Sequence, residues 1–198
     1  ACREAGLGFQ VHTTVMEFNY DEVEKITDFA LAVNAQAHHV FFLVPTGRAV
    51  EIAEASIKAE QYERLLRRLL EKQRQVPLEI KPTCAPQFLR IAKQMGINMR
   101  FTRGCLAGLS YCLVNPVGIV QACAYLDLPA GNVRETPFST IWQEAEVFQR
   151  LRTREYSGKC GRCEYNDVCG GCRARAFFYF GDYMAEEPWC LYGAGRRG

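Results

Sequence analysis

Residues 160–172 read CGRCEYNDVCGGC, so four of the ten cysteines in the chain stand in one run as Cys160, Cys163, Cys169 and Cys172. Cys105, Cys112 and Cys123 precede the run and Cys190 follows it, which puts eight thiols between residues 105 and 190 of a 198-residue chain. Eight thiolates suffice for two four-coordinate metal centres, and sets of four Cys are the usual holders of [4Fe–4S] clusters. Two other chemistries compete. A disulfide framework suits a small secreted domain, whereas the first hundred residues read as an ordinary α/β layout. Paired CxxC motifs signal zinc when about 15–20 residues separate them. Only EYNDV separates Cys163 from Cys169, which is short for one tetrahedral site. Glycines between the thiols let the backbone wrap a bulkier body and point its N–H groups at sulfur.

The order of the cysteines is equally informative. Twelve residues separate Cys105 from Gly118 and four separate Gly118 from Cys123; then come Cys160-x2-Cys163-x5-Cys169-x2-Cys172 and finally Cys190. This resembles the SPASM domain, the auxiliary-cluster module of many radical S-adenosylmethionine (SAM) enzymes, with the last knot spacing one residue shorter than in that family. The segment GNVRETPFSTIWQEAEVFQRLR (131–152), with its Gly-Asn-Val step and Trp-bearing helix, is similar to the stretch those domains hold between their two cysteine groups. The resemblance implies two auxiliary [4Fe–4S] clusters. The inner one would be held by Cys105, Cys112, Cys123 and Cys172, and the outer one by Cys160, Cys163, Cys169 and Cys190. For Cys112 the alternative is a buried free thiol.

The first hundred residues alternate β-rich and helical patterns. VHTTV, HHVFFLV and PLEIKP read as strands. Between and after them lie three helical stripes. One runs from Asp21 to Val33 on Val23, Ile26, Phe29, Ala30 and Val33, with Asp21 and Glu24 as a capping pair. The second runs from Ala59 to Gln75 on Tyr62, Leu65, Leu66, Leu69 and Leu70. The third runs from Pro86 to Met95 on Phe88, Ile91, Ala92 and Met95, closed by Gly96. This alternation predicts a parallel sheet, and three strands cannot close a barrel. The resemblance therefore implies an α/β chain holding the last three βα units of a partial (βα)6 radical SAM barrel, followed by a small cysteine-rich SPASM domain. The expected boundaries are 1–101 for the half barrel, 102–192 for the SPASM domain and 193–198 for a tail. The CxxxCxxC motif of radical SAM enzymes is absent from these residues. The expectation is thus the C-terminal portion of a longer protein, whose missing N-terminal part holds a third [4Fe–4S] cluster and SAM.

KPTCAPQFLRIAK, TRGCLAGLSYC, CAYLDLPAGNVRETPF and CGGCRARAFFYFGDYMAEEPWC resemble the radical SAM enzymes that modify tetrapyrroles, the heme b, siroheme-deacetylating and heme d1 group. That implies an iron-tetrapyrrole substrate, with heme b synthase-like oxidative decarboxylation of propionates as the leading chemistry. It also implies a low-potential electron donor, an electron acceptor and a cytoplasmic setting. Propionates call for cations, and Arg grips a carboxylate with two parallel bonds. Arg48, Lys81 and Arg103 are the substrate candidates, each equally readable as a surface or ion-paired residue. His12 and Thr14 on the first strand are candidates for the SAM side. Of His38 and His39 only one can face inward. Cys84 is a candidate catalytic thiol or a buried inert one, and Arg173 and Arg175 are placed either to neutralise cluster charge or to dock the second module on the first. Two further classes stay open: a SPASM enzyme modifying a peptide or protein, of the sulfatase-maturing type, and a non-enzymatic ferredoxin-like carrier. A net charge of +2, from 24 basic and 22 acidic residues, supports no nucleic-acid binding. No apolar run approaches the ~20 residues of a membrane span.

Overall fold

The computed structural model describes residues 1–193; apart from Gly193, the expected tail lies outside the described residues. The chain opens with three strand–helix units: β1 (Gln10–Val15), α1 (Val23–Ala32), β2 (Ala37–Phe42), α2 (Ala59–Gln73), β3 (Glu79–Thr83) and α3 (Gln87–Gln94). The strands form one parallel sheet in the order β1-β2-β3. α2 shows why its residues choose a helix. Tyr62, Leu65, Leu66, Leu69 and Leu70 recur at helical spacing and all five are buried. Burial of each such side chain stabilises the fold by roughly 1.5–3 kcal/mol. α1 departs from expectation at its start. No side chain caps it, and the chain enters through a 3-10 turn (Glu17–Glu22) that Asn19 closes by accepting the Met16 N–H at 2.8 Å. The Asp21–Glu24 capping pair is therefore not formed. Phe29 is 59% exposed, and Thr27 fills the buried stripe in its place.

Parallel sheets are normally covered on both faces. Here burial alternates along β1 and β3 and along β2 from His38 onward, so one face is covered and the other only in part. The covered face carries Thr13, Val15, His38, Val40, Phe42 and Ile80, packed against the helices. The other face carries two rows in register across the sheet: His12–His39–Lys81 and Thr14–Phe41–Thr83. The inward choice between the adjacent histidines is thus decided, with His39 on the open face and His38 in the core.

The second half is antiparallel, with β4 (Leu113–Val114), β5 (Ile119–Cys123) and β6 (Leu126–Asn132) in that order. Gly118, at φ +92°, turns the chain between β4 and β5, and a Cβ there would lie 2.4 Å from Asn132 Oδ1. α4 (Phe138–Glu144), α5 (Glu146–Thr153), the single turn α6 (Gly158–Gly161) and α7 (Arg173–Phe180) complete the order. Val120, Ala122, Leu126, Ile141, Phe148, Leu151 and Ala174 build its core. Trp189, near the chain's end, returns to the core of the first sheet beside Tyr62.

His38 is fully buried between two threonines. Thr27 Oγ1 donates to Val23 O at 3.1 Å and so accepts from His38 Nδ1 at 2.9 Å, leaving Nε2 to accept from Thr13 Oγ1 at 2.9 Å. Burial, aided by His39 and His12, lowers the His38 pKa from 6.5 to about 4. The folded state then holds fewer protons than the unfolded one between those values, so stability falls as pH falls from 6.5 towards 4. Thermal melts across that range should show the loss. A His38→Asn variant, weaker at neutral pH, should show a shallower acid dependence.

Candidate iron–sulfur centres and an uncovered sheet face

Cys160, Cys163, Cys169 and Cys190 line one cavity, together with Gln87 and Arg90 from α3, Glu187 and the paired glycines Gly170 and Gly171. Local chain geometry sets these thiols. Gly170 and Gly171 take φ near +67° and +64°, which turns the backbone around the cavity. Gly161 is sterically obligatory, since a Cβ there would meet Tyr156 O at 1.9 Å. Each sulfur accepts a backbone N–H: Cys160 from Glu187 at 3.2 Å, Cys163 from Tyr165 at 3.4 Å, Cys169 from Gly171 and Cys190 from Tyr192. Such bonds stabilise thiolates that carry a metal's charge.

The residues fit an iron–sulfur cluster on a further observation. Gln87 is fully buried, with its Oε1 held by Tyr62 OH at 2.6 Å, and its Nε2 has no hydrogen-bond partner. A cluster sulfide is an acceptor suited to such an orphaned donor. All ten cysteines are free thiols, so no disulfide framework forms. Among the described residues no three Cys, His, Asp or Glu side chains close round one point as a single ion demands. A lone zinc holds its sulfurs at about 2.3 Å, whereas a cubane spreads them round a larger body. Burial pushes the thiols of Cys169 and Cys172 up, Cys172 to about 11; a coordinating metal ion reverses that, because it deprotonates the thiols it binds.

The second set of thiols gathers where the two halves meet. Cys105, Cys123 and Cys172 are mutual electrostatic neighbours. Cys105 accepts the Ala107 N–H, and Cys123 accepts Tyr125 N–H at 3.4 Å. Cys84, at the end of β3, packs into the same core and has those three thiols as neighbours. Cys112 packs against the same core, its thiol raised by burial.

Sequence patterns gave no hint of Glu187. It is wholly buried, as is Arg175, and the two pair at 3.2 Å. Glu187 Oε2 accepts the Cys172 N–H at 2.5 Å, its Oε1 accepts Trp189 N–H at 3.2 Å, and its own N–H points at Cys160 Sγ. Arg175 Nη2 donates to Leu43 O at 3.4 Å and Cys84 O at 3.0 Å, just past the C-terminal ends of β2 and β3. Its guanidinium lies over Trp189, 4.0 Å from the ring centroid. Arg175 thus docks the second half on the first. Arg173 instead serves the second half alone, donating to Tyr183 O and Ala185 O and approaching Cys160 Sγ at 3.9 Å.

The remaining candidates scatter. His12 and His39 stack on the open face with ring centroids 4.9 Å apart, and Thr14 lies one row on. Lys81 shares their row, with its Nζ 4.9 Å from the Phe101 ring centroid. The His39 pKa is lowered by burial first, then by Lys81 and His12. Arg48 is exposed on the 3-10 segment Gly47–Ala55 that follows β2. Arg103 is exposed and reaches Asp167 O at 3.5 Å, so it leans on the outer loop and not on the sheet face.

Residues 105–173 match the model of SPASM, an iron–sulfur cluster-binding domain. Among curated proteins, the AdoMet-dependent heme synthase of Methanosarcina barkeri (strain Fusaro / DSM 804) is 46% identical over 98% of this chain and 59% of its own length. The pre-heme d1 synthase of Dinoroseobacter shibae is 27% identical over 100% of this chain and 55% of its own length. The chain therefore spans somewhat more than half the length of these relatives, and it resembles the C-terminal portion of radical SAM/SPASM enzymes of the tetrapyrrole group. Streptococcus suis SuiB, solved bound to its precursor peptide SuiA, superposes with a TM-score of 0.66 over 95% of this chain and 46% of that one. At 16% identity that likeness speaks for the fold alone.

Arg175→Ala would leave the Glu187 carboxylate buried without its cation. Breaking such a pair costs about 3–5 kcal/mol. Anaerobic urea unfolding of the full-length protein should show a loss of that size, and a change under about 1 kcal/mol would remove the pair from its docking role.

Proposed function

We propose that this chain is the C-terminal portion of a radical SAM enzyme that modifies an iron-tetrapyrrole, with heme synthase-like oxidative decarboxylation of propionates as its reaction. In this reading residues 1–101 supply the last three βα units of a six-unit partial barrel, and residues 102–192 form the SPASM domain. The observation that carries it is where the thiols meet the sheet. Arg175 bonds the carbonyls of Leu43 and Cys84 and so sets Cys172 at the C-terminal edge of a parallel sheet. In βα architectures that edge is where chemistry is done. An electron carrier would have no use for such a sheet.

The outer four thiols, Cys160, Cys163, Cys169 and Cys190, would hold one [4Fe–4S] cluster, and Cys105, Cys123 and Cys172 would anchor a second. Bound there, the clusters would supply electron transfer, as a decarboxylation that leaves a vinyl group releases an electron. The chain's own residues set the surroundings. The open row His12–His39–Lys81 presents three basic groups in register, an arrangement suited to carboxylates. Lys81 and, at the rim, Arg48 would meet propionates, with Arg103 further out. His12 and Thr14, on the edge strand, would face SAM held with a third cluster by the rest of the protein. A low-potential donor and an electron acceptor are the implied partners, and ten free cysteines suit a reducing compartment such as the cytoplasm. No helix among the described residues is long and apolar enough to cross a membrane.

In the full-length protein, Cys172→Ala should abolish conversion of iron-coproporphyrin III to heme while 5′-deoxyadenosine formation persists. Heme formation at the parental rate would sink the electron-transfer role. The 198-residue chain by itself should not cleave SAM, since it lacks CxxxCxxC; 5′-deoxyadenosine released by it would overturn the division of labour.

A further inference from the structure

Cys84 belongs to the first unit, outside the SPASM match, yet the fold delivers it to the SPASM thiols. Its backbone takes φ +58°, a left-handed conformation rare for a residue with a side chain. Three contacts hold it there. Its carbonyl accepts Arg175 Nη2 at 3.0 Å, and the same Arg175 pairs with Glu187, which holds the Cys172 N–H. Two residues on, Pro86 touches the backbone before Cys105 so closely that a Cβ on Gly104 would lie 2.6 Å from Pro86 O. The side chain itself packs into the core that contains Cys172 and Cys123. Cys172 is its nearest thiol in electrostatic terms, followed by Cys123 and Cys105. Cys112 packs against the same core, but among the described residues no hydrogen bond ties it to the Arg175–Glu187 pair that fixes Cys84 and Cys172.

We propose that Cys84 supplies the fourth thiolate to the inner cluster alongside Cys105, Cys123 and Cys172, and that Cys112 is not a ligand. The proposal rests on the iron–sulfur reading above and adds to it a ligand from the parallel-sheet unit. The inner cluster then ties β3 directly to the SPASM domain. A strained backbone at Cys84 is consistent with that duty, since the Arg175 bond to its carbonyl holds the residue in a conformation that a β-strand would not adopt.

The test uses the full-length protein, reconstituted anaerobically with iron and sulfide. Three cubanes correspond to about twelve iron per chain. Cys84→Ala should lose about four of them, with disappearance of one cluster's EPR signal after reduction, while Cys112→Ala should keep the full count and spectrum. Should Cys84→Ala not fold, Cys84→Ser is measured in its place; a lost or shifted inner-cluster signal supports the proposal and a parental spectrum overturns it. Loss of about four iron from Cys112→Ala also overturns it, while leaving the two-cluster reading intact. A parent protein that binds only about four to eight iron would refute that underlying reading itself, a separate result.

Discussion

A fully buried ion pair, Arg175 with Glu187, is the constraint on which the two halves depend. Removing two charges from water is expensive, and their attraction offsets the cost only when the remaining donors and acceptors are also met. Here they nearly all are. Glu187 accepts from Arg175, Cys172 N–H and Trp189 N–H, and Arg175 donates to Leu43 O and Cys84 O. Burial alone would lower the Arg175 pKa, but the Glu187 carboxylate holds it charged. These bonds join the ends of β2 and β3 to the thiol loops in one placement. The pair specifies the docking as much as it strengthens it.

That placement explains why two thiol groups form instead of one. Glu187 lies between them, with its side chain on the Cys172 backbone and its own N–H on Cys160 Sγ. The outer group is closed by α3 through Gln87 and Arg90, and the inner group sits at the strand ends. Arg90 is itself held by Glu63 at 2.5 Å, so its cationic head is fixed beside Cys190. Each group thus takes residues from the parallel unit as well as from the cysteine loops. Electrostatics work in the same direction. Buried thiols resist ionisation until a metal compensates the charge, so a metal bound there would reinforce the docking.

The uncovered sheet face is the counterpart of this arrangement. Alternating burial on parallel strands leaves His12, His39, Phe41 and Lys81 short of a covering layer. A parallel sheet left half covered is an unfinished surface in folding terms. It suits a chain that spans somewhat more than half of its relatives.

Much of this was legible in the sequence because it is local. Cysteine spacing marked the thiol-bearing loops, and the 3.6-residue stripe of Tyr62 to Leu70 marked α2. The three parallel strands followed from β-rich runs alternating with helical ones. What tertiary structure alone decided is non-local. His38 and His39 are equivalent in a sequence; the two threonines that bury His38 come from β1 and α1. Phe29 fits a helical stripe as well as any neighbour, but the packing places it in solvent. Glu187 looks like one of many surface acids until the fold brings it to Arg175, twelve positions earlier. Cys84 lies 91 positions from Arg175 and meets it only when the second half docks. Residue type and short spacing carry periodicity and loop chemistry. Pairings across such separations arise from how the faces pack, and no local pattern encodes them.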